Sequence, residues 1–126
     1  MYALPNKIIA AARKTYDARV LGRGLTEMRL VWNLLNDLRD AGFTVSKVND
    51  GEEWIKAHDI REAFDTVFSV DDSVLSVNAS DGERTGWIVI VLGNDGIDAI
   101  SDYGYSEGTE FQRFLDKWTQ DTERFL

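Results

Sequence analysis

Apolar side chains recur near the start of this chain with the spacing of amphipathic helices. In the segment TEMRLVWNLLNDLRDAG the apolar positions with helical spacing are Met28, Val31, Leu34, Leu35 and Leu38. Thr26 precedes them and is the predicted N-cap of this helix. An earlier helix is predicted over residues 5 to 20, with Pro5 in its first turn. Gly22 and Gly24 are predicted to break the chain between the two helices.

The next segment, FTVSKVNDGEEWIKA, alternates in the manner of two short strands. The Asp-Gly pair within residues 49 to 51 supplies the positive φ that a tight hairpin turn requires, so a β-hairpin is predicted. A helix that begins at Asp50 is the competing interpretation. A short helix is predicted over about residues 60 to 69, because Asp59 and Glu62 have the spacing of a capping box ahead of apolar residues.

Two further strands are predicted from SVLSVNA, which alternates, and from WIVIVLG, which is apolar on both faces and therefore typical of a central strand. The turn residues GNDG at 93 to 96 connect the second of these to IDAISDY, which is predicted to be an edge strand over residues 97 to 103. The final segment, TEFQRFLDKWTQDTERFL, predicts a long amphipathic helix whose aromatic stripe packs against the sheet.

These elements together predict an α+β fold in a single domain that spans residues 1–126. An antiparallel sheet of about four to five strands is expected to pack against the N-terminal helices and the C-terminal amphipathic helix. A chain of 126 residues with 44% hydrophobic residues can bury one core of its own. Repeats, low-complexity tracts and linker-like segments are missing from the sequence, so no domain boundary is predicted.

Charge is distributed unevenly along the chain, whose net charge is -8. Residues 1–34 contain six basic and two acidic residues (+4), whereas residues 35–126 contain eight basic and twenty acidic residues (-12). This balance disfavours direct binding to nucleic acid, which needs a basic footprint, and favours a protein partner with a basic surface. The sequence has no cysteine, no signal peptide and no run of eighteen apolar residues, so a cytoplasmic protein without membrane contact is expected.

Sequence motifs for catalysis or metal binding are sparse. His58 is the only histidine and there is no cysteine, which argues against a zinc site or a catalytic triad. The glycine-rich stretches match neither a Walker nor a dinucleotide motif. Asp95, Asp98 and Asp102 could together bind a hard divalent cation, although their spacing differs from that of a calcium-binding loop. The prediction is a protein that is not an enzyme and that carries neither a cofactor nor a metal.

A resemblance is carried by GWIVIVLGNDGIDAISDY and the preceding VFSVDDSVLSV. This region, roughly residues 67 to 103, is similar to small proteins encoded by bacteriophages and prophages, in which a strand ending in Gly-Asn-Asp-Gly precedes Asp-x-Ile-x-Asp-Tyr. The matching residues here are Gly93, Asn94, Asp95, Gly96, Asp98, Ile100, Asp102 and Tyr103. The resemblance implies an origin in a mobile element and implies no activity, cofactor or catalytic residue.

The leading hypothesis is therefore a small acidic accessory protein of a phage or mobile element that binds another protein, such as an inhibitor of host defence of the anti-CRISPR kind. Residues 93 to 110 contain five acids and no base, and these acids are the predicted partner-binding residues: Asp95, Asp98, Asp102, Glu107 and Glu110. One alternative is an immunity protein that neutralises a toxin. A second alternative is an enzyme with a divalent metal held by carboxylates. Independently of its function, the protein is expected to be a monomer or a homodimer.

Overall fold

The computed structural model describes residues 1–81, 84–94, 96–105 and 109–126, with the backbone only for residues 84 and 109. The helices are α1 (Asn6–Thr15), α2 (Ala18–Asp40), α3 (Ile60–Val67) and α4 (Thr109–Trp118), and a 3₁₀ helix follows (Thr119–Phe125). The strands are β1 (Thr44–Asn49), β2 (Trp54–Lys56), β3 (Asp72–Asn78), β4 (Arg84–Val91) and β5 (Ile100–Tyr105). The predicted α+β fold is confirmed.

Within the described residues, five antiparallel strands form one sheet in the order β2-β1-β3-β4-β5. Every second side chain along the inner strands points toward the helices. Val48, Leu75 and Ile88 lie side by side in this row, and each is 0% exposed. Because α2 and α4 bring their own apolar stripes to this side of the sheet, the core lies between the sheet and the helices.

The predicted break at Gly22 and Gly24 is wrong, because α2 runs without interruption through both glycines. Its N-cap is Asp17, whose carboxylate accepts a 2.9 Å hydrogen bond from the backbone N–H of Arg19, and Thr26 lies inside the helix. Gly24 is buried, and a Cβ atom there would lie 3.0 Å from the ring of Tyr16. The glycine therefore allows the close approach of the Tyr16 ring and does not end a helix.

The hairpin of β1 and β2 is confirmed, and the competing helix at Asp50 is wrong. Gly51 has a φ of +99°, as the Asp-Gly pair predicted, and the Asp50 carboxylate accepts hydrogen bonds of 2.9 Å from the two backbone N–H groups that follow the glycine. The N-cap of α3 is also confirmed, since Asp59 accepts a 2.8 Å hydrogen bond from the backbone N–H of Glu62. The Glu62 carboxylate in turn accepts from the backbone N–H of His58.

The connection between β4 and β5 is longer than predicted. Gly93 and Gly96 both have positive φ, of +92° and +98°, but β5 begins at Ile100 instead of residue 97. A 2.8 Å hydrogen bond from the Val91 N–H to the Ala99 carbonyl closes the connection. The predicted position of the last strand at an edge of the sheet is confirmed.

The C-terminal helix is shorter than predicted, because α4 ends at Trp118 and the chain continues as a 3₁₀ helix. Asp121 has a non-helical backbone (φ -137°, ψ 57°), which bends the chain back. The rings of Trp118 and Phe125 then stack with their centroids 5.4 Å apart, and the Arg29 guanidinium donates a 3.1 Å hydrogen bond to the Phe125 carbonyl. These contacts hold the last turn against α2.

Candidate interaction surface

One face of the sheet lies away from the helices, and we call it the open face. Its members alternate with the buried row described above, as the pairing of the strands requires. They include Lys47, Trp54, Lys56, Val74, Ser76, Trp87, Val89 and Asp102. Val74, Trp87 and Val89 are only partly buried, and Trp54 is 43% exposed. The WIVIVLG segment therefore forms an internal strand. In the described parts of the chain, helices cover one of its two faces and leave the other uncovered.

Two glycines set the packing on the two faces of β4 and β5. On the helix side, a Cβ atom at Gly86 would lie 2.5 Å from the ring of Phe111, so α4 rests directly on the strand. On the open face, a Cβ atom at Gly104 would lie 2.3 Å from Cζ2 of Trp87. The Trp87 indole therefore lies across the backbone of β5, where only glycine leaves it room. This contact holds a partly exposed aromatic ring in place on the open face.

Charge on the open face is separated by strand. Lys47 and Lys56 are direct partners on β1 and β2, whereas Asp102 is exposed on β5 at the other edge of the sheet. The partly exposed apolar side chains of β3 and β4 lie between them. The open face thus has two lysines on β1 and β2, partly exposed apolar side chains on β3 and β4, an exposed Asp72 at the start of β3, and an exposed Asp102 on β5.

The acidic residues predicted from the sequence lie on different elements. Asp98 is exposed in the connection that precedes β5, Asp102 is exposed on the open face, and Glu110 is exposed in the first turn of α4, on the helix side of the sheet. Asp95 and Glu107 lie outside the described residues. Asp102 lies opposite Val89 and two residues before Gly104, the partner of Trp87, whereas Asp98 precedes the strand and Glu110 belongs to the opposite layer.

A buried carboxylate that the sequence analysis missed positions this acidic connection. Glu27 on α2 is 4% exposed, and its Oε2 accepts a 2.7 Å hydrogen bond from the backbone N–H of Gly93. Burial, and then the charge of Glu27, raise the pKa of the neighbouring Tyr16 phenol. The sequence did contain a signal that Glu27 is buried, because Val31 follows it by four residues and both therefore lie on the buried stripe of the helix. Charged residues are rare on such a stripe, and one that occurs there usually has a partner.

The described residues contain no group of three or more His, Cys, Asp or Glu side chains arranged to bind a metal ion. Asp95, one of the three carboxylates considered for a divalent cation, lies outside them. His58 is exposed and has its Nδ1 atom 3.0 Å from Oε2 of Glu62. The Glu62 carboxylate has a lowered pKa, chiefly because it accepts the backbone N–H of His58. This pair caps the start of α3 and is thereby explained as a structural contact.

Among the described residues, none of the helices combines the length and the apolar composition needed to cross a bilayer. Comparison of the chain with models of protein families, with curated proteins and with solved structures gives no match.

Proposed function

We propose that this protein is a small, non-enzymatic binding protein that contacts a basic protein partner through the β5 edge of its open face. The observation that carries the proposal is the position of Trp87, a partly exposed ring held across Gly104, next to the exposed carboxylate of Asp102. Aromatic anchors and nearby charges are the usual determinants of affinity and specificity at protein interfaces.

The two kinds of side chain contribute differently. A tryptophan that is already immobile loses little conformational entropy on binding, and it offers a large apolar area to a partner. Asp98 and Asp102, together with a net charge of -8, attract a basic surface over a longer range and raise the association rate at low salt. Together they favour a partner with a basic rim around an apolar pocket.

The biological role that we propose follows from the resemblance to small phage and prophage proteins in residues 67 to 103. The protein acts in the cytoplasm as an accessory factor of a mobile element, in the manner of an inhibitor of host defence such as an anti-CRISPR protein. A basic groove that normally holds nucleic acid has the charge that this acidic surface complements. An immunity protein would use the same kind of surface against a toxin, so the identity of the partner separates the two roles.

The proposal is tested by affinity capture from a host lysate, with the wild-type protein and an Asp98→Lys/Asp102→Lys variant as parallel baits. The expected result is one enriched protein with a basic surface that the variant loses, and whose capture by the wild type weakens as salt is raised. The matched control is Glu52→Lys/Glu53→Lys, which makes the same change in charge at the exposed turn between β1 and β2.

Thermal unfolding of each bait establishes that the comparison is made between folded proteins. Equal loss of the captured protein in both variants would mean that net charge alone is responsible and would contradict a localised site. Capture that is unchanged in the Asp98→Lys/Asp102→Lys variant would remove the β5 edge of the open face from the proposal. Identification of a defence protein or a toxin among the captured proteins assigns the role.

A further inference from the structure

The β1 and β2 side of the open face has an unusual charge arrangement. Lys47 and Lys56 lie directly opposite each other on neighbouring strands, and like charges in such a cross-strand pair destabilise a sheet. The chain carries 22 acidic residues, yet none of the described ones forms an ion pair with either lysine. The two ammonium groups therefore repel each other across the hairpin without a neutralising carboxylate in the described structure.

Neighbouring basic groups are neutralised. Arg39 and Arg61, which border an apolar groove between α2 and α3, pair with the carboxylates of Asp40 at 3.1 Å and Asp65 at 3.0 Å. His58 pairs with Glu62. The lysine pair thus differs from the cations around it, and its positive charge is available to a ligand.

The two lysines border a shallow depression of about 620 Å³ on the open face. Hydroxyl and amide side chains complete much of its wall, from Thr44, Ser46, Ser76 and Asn78. The strand pairing shifts register between Val45 and Lys47, which marks a β-bulge at Ser46. The Ser46 hydroxyl donates a 3.1 Å hydrogen bond to Oδ1 of Asn78, so this part of the wall is held in place.

The Ser76 hydroxyl is the second indication of a ligand. Ser76 is 2% exposed, lies beside Lys47 in the strand pairing and lines the depression. Within the described structure its side chain makes no hydrogen bond. The Ser76 Oγ atom is not among the fully buried side-chain atoms that lack a partner in the described structure, so it stays accessible from the depression, where a ligand oxygen would hydrogen-bond to it.

The geometry points to a binding site for a small molecule that carries a phosphate group, seated between Lys47, Lys56 and the Ser76 hydroxyl. The two lysines supply a charge of +2, which matches the charge of about -1.5 to -2 on a phosphate monoester at neutral pH. The Nζ atom of Lys47 lies 5.0 Å from the centroid of the Trp54 ring, which is outside the depression, so the ammonium group leaves this ring when it binds the phosphate. The site lies on the opposite side of the open face from Asp102 and is independent of the proposed protein partner.

The test is a titration of the full chain with inorganic phosphate, followed by amide chemical shifts, at a constant ionic strength maintained with chloride. Saturable shifts confined to β1, β2 and the middle of β3 are expected. A Lys47→Gln/Lys56→Gln variant should bind phosphate about tenfold or more weakly, since each lost contact is a charge-assisted hydrogen bond. The matched control is Lys7→Gln/Lys14→Gln, which removes the same charge from exposed positions of α1 and should leave the affinity unchanged.

A second titration, with a nucleoside 5′-monophosphate, distinguishes the source of the phosphate. Equal affinities for inorganic phosphate and for the nucleotide would show that the site binds the phosphate group alone. Tighter binding of the nucleotide would show that the site binds an organic phosphate. A Ser76→Ala variant that weakens binding without loss of the folded spectrum would support the role of the hydroxyl. Shifts that spread over the surface without saturating, or an equal loss of affinity in both lysine variants, would overturn the site. Failure of the phosphate site would leave the proposed protein partner untouched, because the capture experiment tests Asp98 and Asp102 and leaves Lys47 and Lys56 unchanged.

Discussion

The backbone N–H of Gly93 donates a 2.7 Å hydrogen bond to Oε2 of Glu27, which joins the connection between β4 and β5 to the middle of α2, 66 residues earlier in the chain. The carboxylate is almost completely buried, and its hydrogen bond holds the start of the segment that carries the candidate partner-binding acids. Helix, connection and edge strand are thus coupled through one buried side chain.

Replacement of Glu27 by alanine should lower the free energy of unfolding by about 1.5 to 3 kcal/mol, because the hydrogen bond from the Gly93 N–H to a charged carboxylate is lost. Glu27→Gln keeps an oxygen acceptor and should cost less. Chemical denaturation measures both variants, with Glu110→Ala as the control at an exposed position. Equal midpoints for Glu27→Ala and the wild type would show that the hydrogen bond does not stabilise the fold.

Gly104→Ala should destabilise the protein by about 1 to 3 kcal/mol, because a Cβ atom there would lie 2.3 Å from Trp87 Cζ2 and force the indole or the strand to move. The same change should increase the exposure of the ring, and a red shift of tryptophan emission together with a lower thermal midpoint is the expected result. An unchanged thermal midpoint would mean that the indole leaves β5 at no cost, which would weaken its proposed role as an immobile anchor.

Gly22→Ala, unlike Gly104→Ala, should stabilise the protein. Gly22 lies inside α2, and a Cβ atom added there would meet no other atom within 4 Å. Alanine is favoured over glycine in a helix interior by about 0.5 to 1 kcal/mol. Thermal denaturation should therefore give a higher midpoint than the wild type. A decrease would indicate that the helix is interrupted at this point in solution, as the glycine spacing alone had suggested.

The Tyr103 hydroxyl donates a 2.5 Å hydrogen bond to Oδ1 of Asp116, which connects β5 to α4. This hydrogen bond, and then burial, raise the pKa of Tyr103 above its ordinary value of 10.0. The raised pKa means that the folded state holds this proton more strongly than the unfolded state does. The associated stability is fully present below about pH 10 and is lost as the pH rises through the folded-state pKa.

Denaturation midpoints measured across this alkaline range should therefore fall more steeply in the wild type than in Tyr103→Phe. Tyr105→Phe, at a 46% exposed position of the same strand, serves as the control. Parallel alkaline profiles for the wild type and Tyr103→Phe would contradict a stabilising role for the hydrogen bond to Asp116.

Local sequence patterns predicted most of the helices and strands, because capping, turn formation and hydrophobic periodicity depend on interactions between residues close in the chain. Asp59 caps α3 and Gly51 adopts positive φ, since both effects depend on neighbours within a few residues. The prediction failed at Gly24, where the local cost of glycine in a helix is only about 1 kcal/mol and the packing of the Tyr16 ring outweighs it. It failed again after Trp118, where the stacking of that ring on Phe125 and the hydrogen bond from Arg29 bend the chain.

The amino-acid sequence by itself determined the α+β class, the antiparallel hairpins and the apolar stripes, because helical and strand periodicities are written in consecutive residues. Only the tertiary structure decided that helices cover one face of the sheet and leave Trp87 on the other, since an apolar side chain is equally compatible with either face. It also brought Lys47 opposite Lys56 and Glu27 against Gly93. Those contacts depend on strand register and helix docking, which the whole core determines and no local pattern encodes.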